Sequence, residues 1–167
     1  MHKLRVNVAE LLRWPGSTKD VEVACTAEEL GINDPRVAGN AQVTATMHVE
    51  SLATGVVVSG VVEAPWHDTC RRCLVDIDQI AHTEIRDLFQ ITVTDPDAFP
   101  VIGDQIDLAD LVRETVHLEL PLASLCRDDC AGLCGTCGAD LNVEPCACGG
   151  VAKDDRWSAL DALRDQL

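Results

Sequence analysis

The clearest pattern in the chain lies between residues 40 and 50. There Ala41, Val43, Ala45, Met47 and Val49 alternate with more polar neighbours. Successive side chains of an extended backbone point to opposite faces, so this alternation predicts a half-buried strand. Ala53 to Gly55 supplies a turn, and VVVSGVVE (56–63) returns as a second strand in which Gly60 is expected to mark a bulge. LVDIDQIAHTEIRDLFQITV (74–93) opens as a strand with Val75 and Ile77 on one face. Its phase slips near Gln79, which predicts a further bulge. Residues 40–93 therefore read as an antiparallel meander. Upstream, KLRVNV (3–8) and DVEVA (20–24) alternate in the same way. Between them VAELLRW reads as a short helical turn ended by Pro15 and Gly16. Thr26 with Glu29 resembles a capping box before a brief helix, in a loop that ends near Pro35.

The period changes after the loop DPDAFPVIGD (95–104). Asp107 is placed to cap a helix over 108–119, with Leu108, Leu111, Val112, Thr115 and Val116 as its inner stripe. Pro121 stops it. A last helix is expected over roughly 154–166, where Trp157, Leu160 and Leu163 recur at spacings of three. The predicted fold is α+β: an antiparallel β-meander sheet with a packed helix, then a small zinc-ribbon-like tail and a C-terminal amphipathic helix. The expected divisions are a sheet-and-helix core domain over 1–122, a cysteine-rich zinc-binding segment over 123–150 and the final helix over 151–167.

Composition narrows the chemistry. Aromatic residues make up only 3% and Tyr is absent, so the core must be aliphatic and few rings are left for base stacking. The net charge is −15, from 28 acidic and 13 basic residues. Such a chain repels phosphate backbones, which disfavours bare RNA and makes a basic protein the natural partner. The basic clusters are small: Lys3 with Arg5 and Arg13, and the pair Arg71 and Arg72. Lys3, Arg5 and Glu10 interrupt the N-terminal stretch, and no apolar run approaches the roughly 20 residues of a membrane span. The expected compartment is the cytoplasm, where thiols stay reduced.

In that setting nine cysteines need another explanation than disulfides. A Cys-x-x-Cys turn lets two sulfurs reach one ion, and two such turns occur, CRRC at 70–73 and CGTC at 134–137. Cys134, Cys137, Cys146 and Cys148 could close a tetrahedral zinc site within one short segment. Cys70, Cys73, Cys126 and Cys130 remain as a second set, closing a long loop at little extra entropic cost. Spacing alone leaves two other partitions open, one joining Cys126 and Cys130 to Cys134 and Cys137, the other recruiting His67. Cys25 reads as a small buried hydrophobe. Residues 123–150 hold too few large apolar side chains for a core and are expected to need the metal to fold. Neither dithiol turn has the βαβ setting of a thioredoxin-type site: LVDID follows Cys73 and GADLN follows Cys137.

No Walker loop, dinucleotide fingerprint or His-Glu-x-x-His motif is present. His2, His48, His82 and His117 have no partner at ligand spacing, and His48 and His82 fall on polar strand faces. No two carboxylates stand out as a general acid and base. The chain reads as a non-enzyme.

CRRCL in mid-chain, LPLASLC after a helix, CAGLCGTCGADLN and a final helix with Trp-Ser-Ala-Leu together resemble the YceD family, the large ribosomal RNA subunit accumulation proteins. GLCxxCGxDLN (132–142) is the most specific part, and the cysteine-rich tail is similar to that of members from high-GC Gram-positive bacteria. Gly135 stands where a Pro is often seen. The resemblance implies a ribosome-assembly factor that supports accumulation of large-subunit ribosomal RNA, with a gene that often neighbours one for a large-subunit ribosomal protein. It implies no catalytic residue. Three functions follow as expectations: an assembly factor acting through a basic ribosomal protein or pre-ribosomal particle, a zinc- or thiol-based redox switch or zinc-dependent interaction module, and RNA binding through the arginines of the first knuckle.

Overall fold

The computed structural model describes residues 4–148. Seven strands and one helix follow in the order β1 (Arg5–Asn7), β2 (Thr18–Thr26), β3 (Gln42–Leu52), β4 (Gly55–Thr69), β5 (Asp76–Gln90), β6 (Phe99–Pro100), β7 (Gln105–Asp107) and α1 (Ala109–Glu119). The chain divides into two compact units. The first holds residues up to Asp68 and Asp78–Leu122; the second joins Thr69–Ile77 to the described residues from Ala123 onward.

In the first unit β2 to β6 form one sheet in sequence order. β2 and β4 both run antiparallel to β3. β6 adds to β5 in parallel, Phe89 opposite Phe99, so the sheet is mixed rather than a pure meander. The two phenyl rings stack at 5.1 Å between centroids. The alternation read in β3 is real: Val43, Ala45, Met47 and Val49 are buried while Thr46, His48 and Glu50 face water.

The β3–β4 register shows no bulge at Gly60, and the burial of β5 shows no slip of phase. Gly60 lies in regular register opposite Met47. Its missing side chain lets β3 approach, and a Cβ there would come within 2.7 Å of the Met47 Cα. In β5 the buried residues Ile77, Ala81, Ile85 and Phe89 keep one phase throughout. The apparent slip came from Ile80, an apolar residue on the outer face that is 64% exposed. Val75 lies outside the strand and is half exposed.

The inner stripe of α1 is as expected, with Leu108, Leu111, Val112, Thr115 and Val116 all buried. Each such aliphatic side chain removed from water contributes about 1.5–3 kcal/mol. The Thr115 hydroxyl is satisfied by donating to the Leu111 carbonyl at 2.8 Å. The helix starts one residue later than expected, with Leu108 rather than Asp107 at its N-cap; Asp107, one position earlier, accepts from the Ala109 N–H through Oδ1 at 3.1 Å and from Arg5 Nε through Oδ2 at 3.1 Å. Asp107 also ends β7, which pairs antiparallel with β1. Leu120 turns extended ahead of Pro121 and ends the helix.

The turn before Trp14 is a single 3-10 turn over Leu11–Arg13. Thr26 and Glu29 form the reciprocal capping box, Thr26 N–H to Glu29 Oε2 at 3.0 Å and Glu29 N–H to Thr26 Oγ1 at 3.2 Å. Only hydrogen-bonded turns follow it, ending where Gly31 adopts φ +69°. Cys25 is buried. The expected helix over 154–166 lies outside the described residues.

Candidate metal centres

The second unit is built from tight turns. In the CRRC turn the Cys70 N–H donates to the Val75 carbonyl at 2.8 Å, and the Leu74 N–H donates to the Cys70 carbonyl at 2.9 Å. Leu74 takes φ +61°, so the chain doubles back within four residues. The CGTC turn repeats this geometry. Gly138 N–H donates to the Cys134 carbonyl at 2.9 Å and Cys134 N–H to the Ala139 carbonyl at 2.8 Å, with Gly138 at φ +74°. Gly132 also sits at φ +74°, and a Cβ there would meet the Arg72 carbonyl oxygen at 2.9 Å. That close approach lets the Leu133 N–H reach the same carbonyl at 3.0 Å.

These turns gather the sulfurs into two groups. Cys70, Cys73, Cys126 and Cys130 form one, and Cys134, Cys137, Cys146 and Cys148 the other. Within each, the four sulfurs lie within 4.8 Å of one another. Cys70 and Cys130 are 3.9 Å apart and Cys73 and Cys126 3.6 Å. An ion bound at about 2.3 Å by four thiolates sets its sulfurs roughly 3.8 Å apart, so the spacing suits a tetrahedral metal. Each group could hold a metal ion. The sulfurs that lie together are those the sequence spacing set apart. His67 joins neither group; its Nδ1 pairs with Asp78 Oδ1 at 2.9 Å.

Electrostatics in both groups is uneven. The Cys73 N–H, followed by those of Cys126 and Arg72, points at the Cys70 sulfur and lowers its pKa from 9.0 to about 6 against burial. Cys134 falls likewise to about 6 because the N–H groups of Cys137 and Thr136 face it. Burial and the neighbouring cysteines push Cys126 up to about 12. Cys148 rises to about 11, chiefly through its contact with Cys137. One thiol per group ionises readily and a partner resists, held protonated by burial and by its contacts with the neighbouring sulfurs. A cation among them removes that conflict.

Two arginines of this unit, Arg72 and Arg127, hold backbone and side-chain groups of the turns. Arg72 Nη1 donates to the carbonyls of Cys130 at 2.9 Å and Asp128 at 3.3 Å. Arg127 donates to Asn142 Oδ1 at 2.9 Å and pairs with Asp129. Asn142 also donates to the Cys130 sulfur at 3.5 Å, a role its place in a turn-forming stretch did not signal. The sequence likewise gave no sign of three histidine–carboxylate pairs on the outer sheet face. They join His48 to Asp20 at 2.7 Å, His67 to Asp78 at 2.9 Å and His82 to Glu63 at 3.1 Å. Among the described residues no helix is long and apolar enough to cross a membrane.

Comparison with known proteins places these motifs. Residues 58–164 match a family model described as large ribosomal RNA subunit accumulation protein YceD. An uncharacterized protein of Mycobacterium tuberculosis is 31% identical over 150 residues, covering 85% of this chain and 72% of its own. One from Mycobacterium leprae is 32% identical over 147 residues, covering 83% and 68%. A chloroplastic large ribosomal RNA subunit accumulation protein YCED homolog of Arabidopsis thaliana is 39% identical over 69 residues, 41% of this chain and 22% of that protein. No solved structure matches the chain.

Proposed function

This chain belongs to the YceD family of large ribosomal RNA subunit accumulation proteins, and we propose that it supports accumulation and processing of large-subunit ribosomal RNA without catalysing a reaction. The family is named for accumulation rather than for a reaction, which supports a ribosome-related, non-enzymatic role. The family match carries the proposal. The direct partner is a basic ribosomal protein or a pre-ribosomal particle that displays one. The net charge of −15 supports this. So does the outer sheet face, where Asp20, Glu22, Glu50, Glu63, Asp78 and Glu84 are exposed against Arg86. A field of that sign speeds encounter with a basic protein and slows it with phosphate.

The metal is zinc, held by Cys70, Cys73, Cys126 and Cys130 and by Cys134, Cys137, Cys146 and Cys148. Four thiolates without an open position fit a structural rather than a catalytic ion. When bound, zinc supplies folding energy to a unit with little apolar core. The protein acts in the cytoplasm.

The test is depletion in cells, with mature and precursor large-subunit RNA quantified against small-subunit RNA. Selective loss of mature large-subunit RNA is expected; unchanged ratios refute the role. A redox switch is the second reading, motivated by the two sulfurs near pKa 6, since metal-free thiolates at neutral pH are reactive. Under that reading mild peroxide releases zinc reversibly and alters partner binding, whereas a structural site resists it.

A further inference from the structure

Asn142 touches both halves of the cysteine-rich unit. Its carboxamide oxygen accepts from the Ala131 N–H at 2.7 Å and from Arg127 Nη2 at 2.9 Å. Its nitrogen donates to Asp140 Oδ1 at 2.6 Å and to the Cys130 sulfur at 3.5 Å. Two donors face the oxygen and two acceptors face the nitrogen. A flipped amide would set like against like at all of them, so the orientation is fixed by its surroundings.

Cys130 belongs to the first group of sulfurs. The backbone that carries Asn142 is shaped by the turn of the second. Leu133 and Asp140 form a bridge, the Leu141 N–H donates to the Gly132 carbonyl at 2.9 Å, and the Asn142 N–H donates to Asp140 Oδ1 at 2.9 Å. Closing the Cys134 turn therefore presents the Asn142 amide to Cys130. A divalent ion among four thiolates leaves roughly two negative charges uncompensated. A donor aimed at one sulfur offsets part of that charge and fixes the ligand's direction, as outer-shell partners of metal sites do.

We propose that Asn142 is a positioning residue that couples the two groups: a thiophilic divalent ion held by Cys134, Cys137, Cys146 and Cys148 raises the affinity of Cys70, Cys73, Cys126 and Cys130 for a second. The inference rests on the metal-binding reading above. Linkage makes the coupling reciprocal, so an ion in the first group also tightens the second.

Cobalt(II) titration of the full metal-free chain tests it, with ligand-field and thiolate charge-transfer absorption as readouts and a competing chelator to set affinities. The wild-type chain takes up two equivalents. Removing the second group with C137S/C148S leaves one equivalent, bound about tenfold more weakly. Asn142→Asp keeps an oxygen for Ala131 and Arg127 but loses the donor to the Cys130 sulfur and to Asp140. It binds two equivalents, one loosened about tenfold with a shifted charge-transfer band. Adding Asn142→Asp to C137S/C148S produces little further loss, because the coupling is already gone. Wild-type affinity and spectrum in Asn142→Asp overturn the proposal, as does a fully additive loss in the combined variant. A wild-type chain that takes up no cobalt overturns the metal reading itself, and the coupling with it.

Discussion

Arg36 spends every face of its guanidinium. Nε and Nη2 grip both oxygens of Asp34 at 2.9 and 2.8 Å, and Nη1 donates to the Pro121 carbonyl. The side chain thus ties the loop after β2 to the end of α1. The Arg36 hydrogen bonds lower the Asp34 pKa from 3.8 to about 2. The carboxyl titrates lower in the folded chain than in the unfolded one. Its stabilising contribution is therefore complete above about pH 4 and lost as the pH falls through 2. Arg36→Ala is expected to cost about 1.5–3 kcal/mol at pH 7, with the gap to wild type narrowing steadily below pH 4 in urea midpoints. A gap that stays constant to pH 2 would mean that the pair carries none of the difference. Single residues of this kind were the least legible in the sequence. The partners of Arg36, of Asn142 and of the three sheet histidines depend on register and turn closure, which no local pattern encodes.

The elements were more legible because burial imposes a period. β3 and α1 each present one face to the core, and their alternation and stripe survive intact. The errors arose where a residue's type was taken for its orientation. Ile80 is apolar yet faces out, and that alone produced the false slip in β5. Gly60 serves the close approach of two regular strands rather than a fault in their pairing. This has a consequence for the β3–β4 pair. Gly60→Ala places a methyl against the backbone of Thr46 and Met47, where no rotamer change relieves it. We expect a loss of about 3 kcal/mol or more, read as a lowered urea midpoint with an unchanged slope. Alanine at the neighbouring Ser59, half-buried on the outer face, is expected to cost less than about 0.5 kcal/mol.

For the whole molecule the two units differ in what holds them. The first has a continuous aliphatic core; the second has turns, glycines and sulfur. Chelation is therefore expected to open residues 123–148 to protease while β2 to β5 stay protected, and re-addition of zinc is expected to restore resistance. Equal sensitivity with and without chelator would show that the tail folds unaided. The cysteine spacing marked the candidate ligands in advance, because ligand chemistry leaves a local signature, but it left their partition open, and the fold alone brings Cys70 and Cys73 to Cys126 and Cys130.

That distance has a consequence in time. Cys73 and Cys126 are 53 residues apart and Cys70 and Cys130 60, with β5, β6, β7 and α1 encoded between them. During translation the CRRC turn emerges as an open half-site and waits for its counterpart until all four elements have been synthesised. The second group is complete 18 residues after Cys130 and closes over a span of only 15 positions. Under the metal-binding reading, a chain loaded at both positions has been synthesised at least through Cys148, and one truncated before Cys126 lacks half of the first group and all of the second.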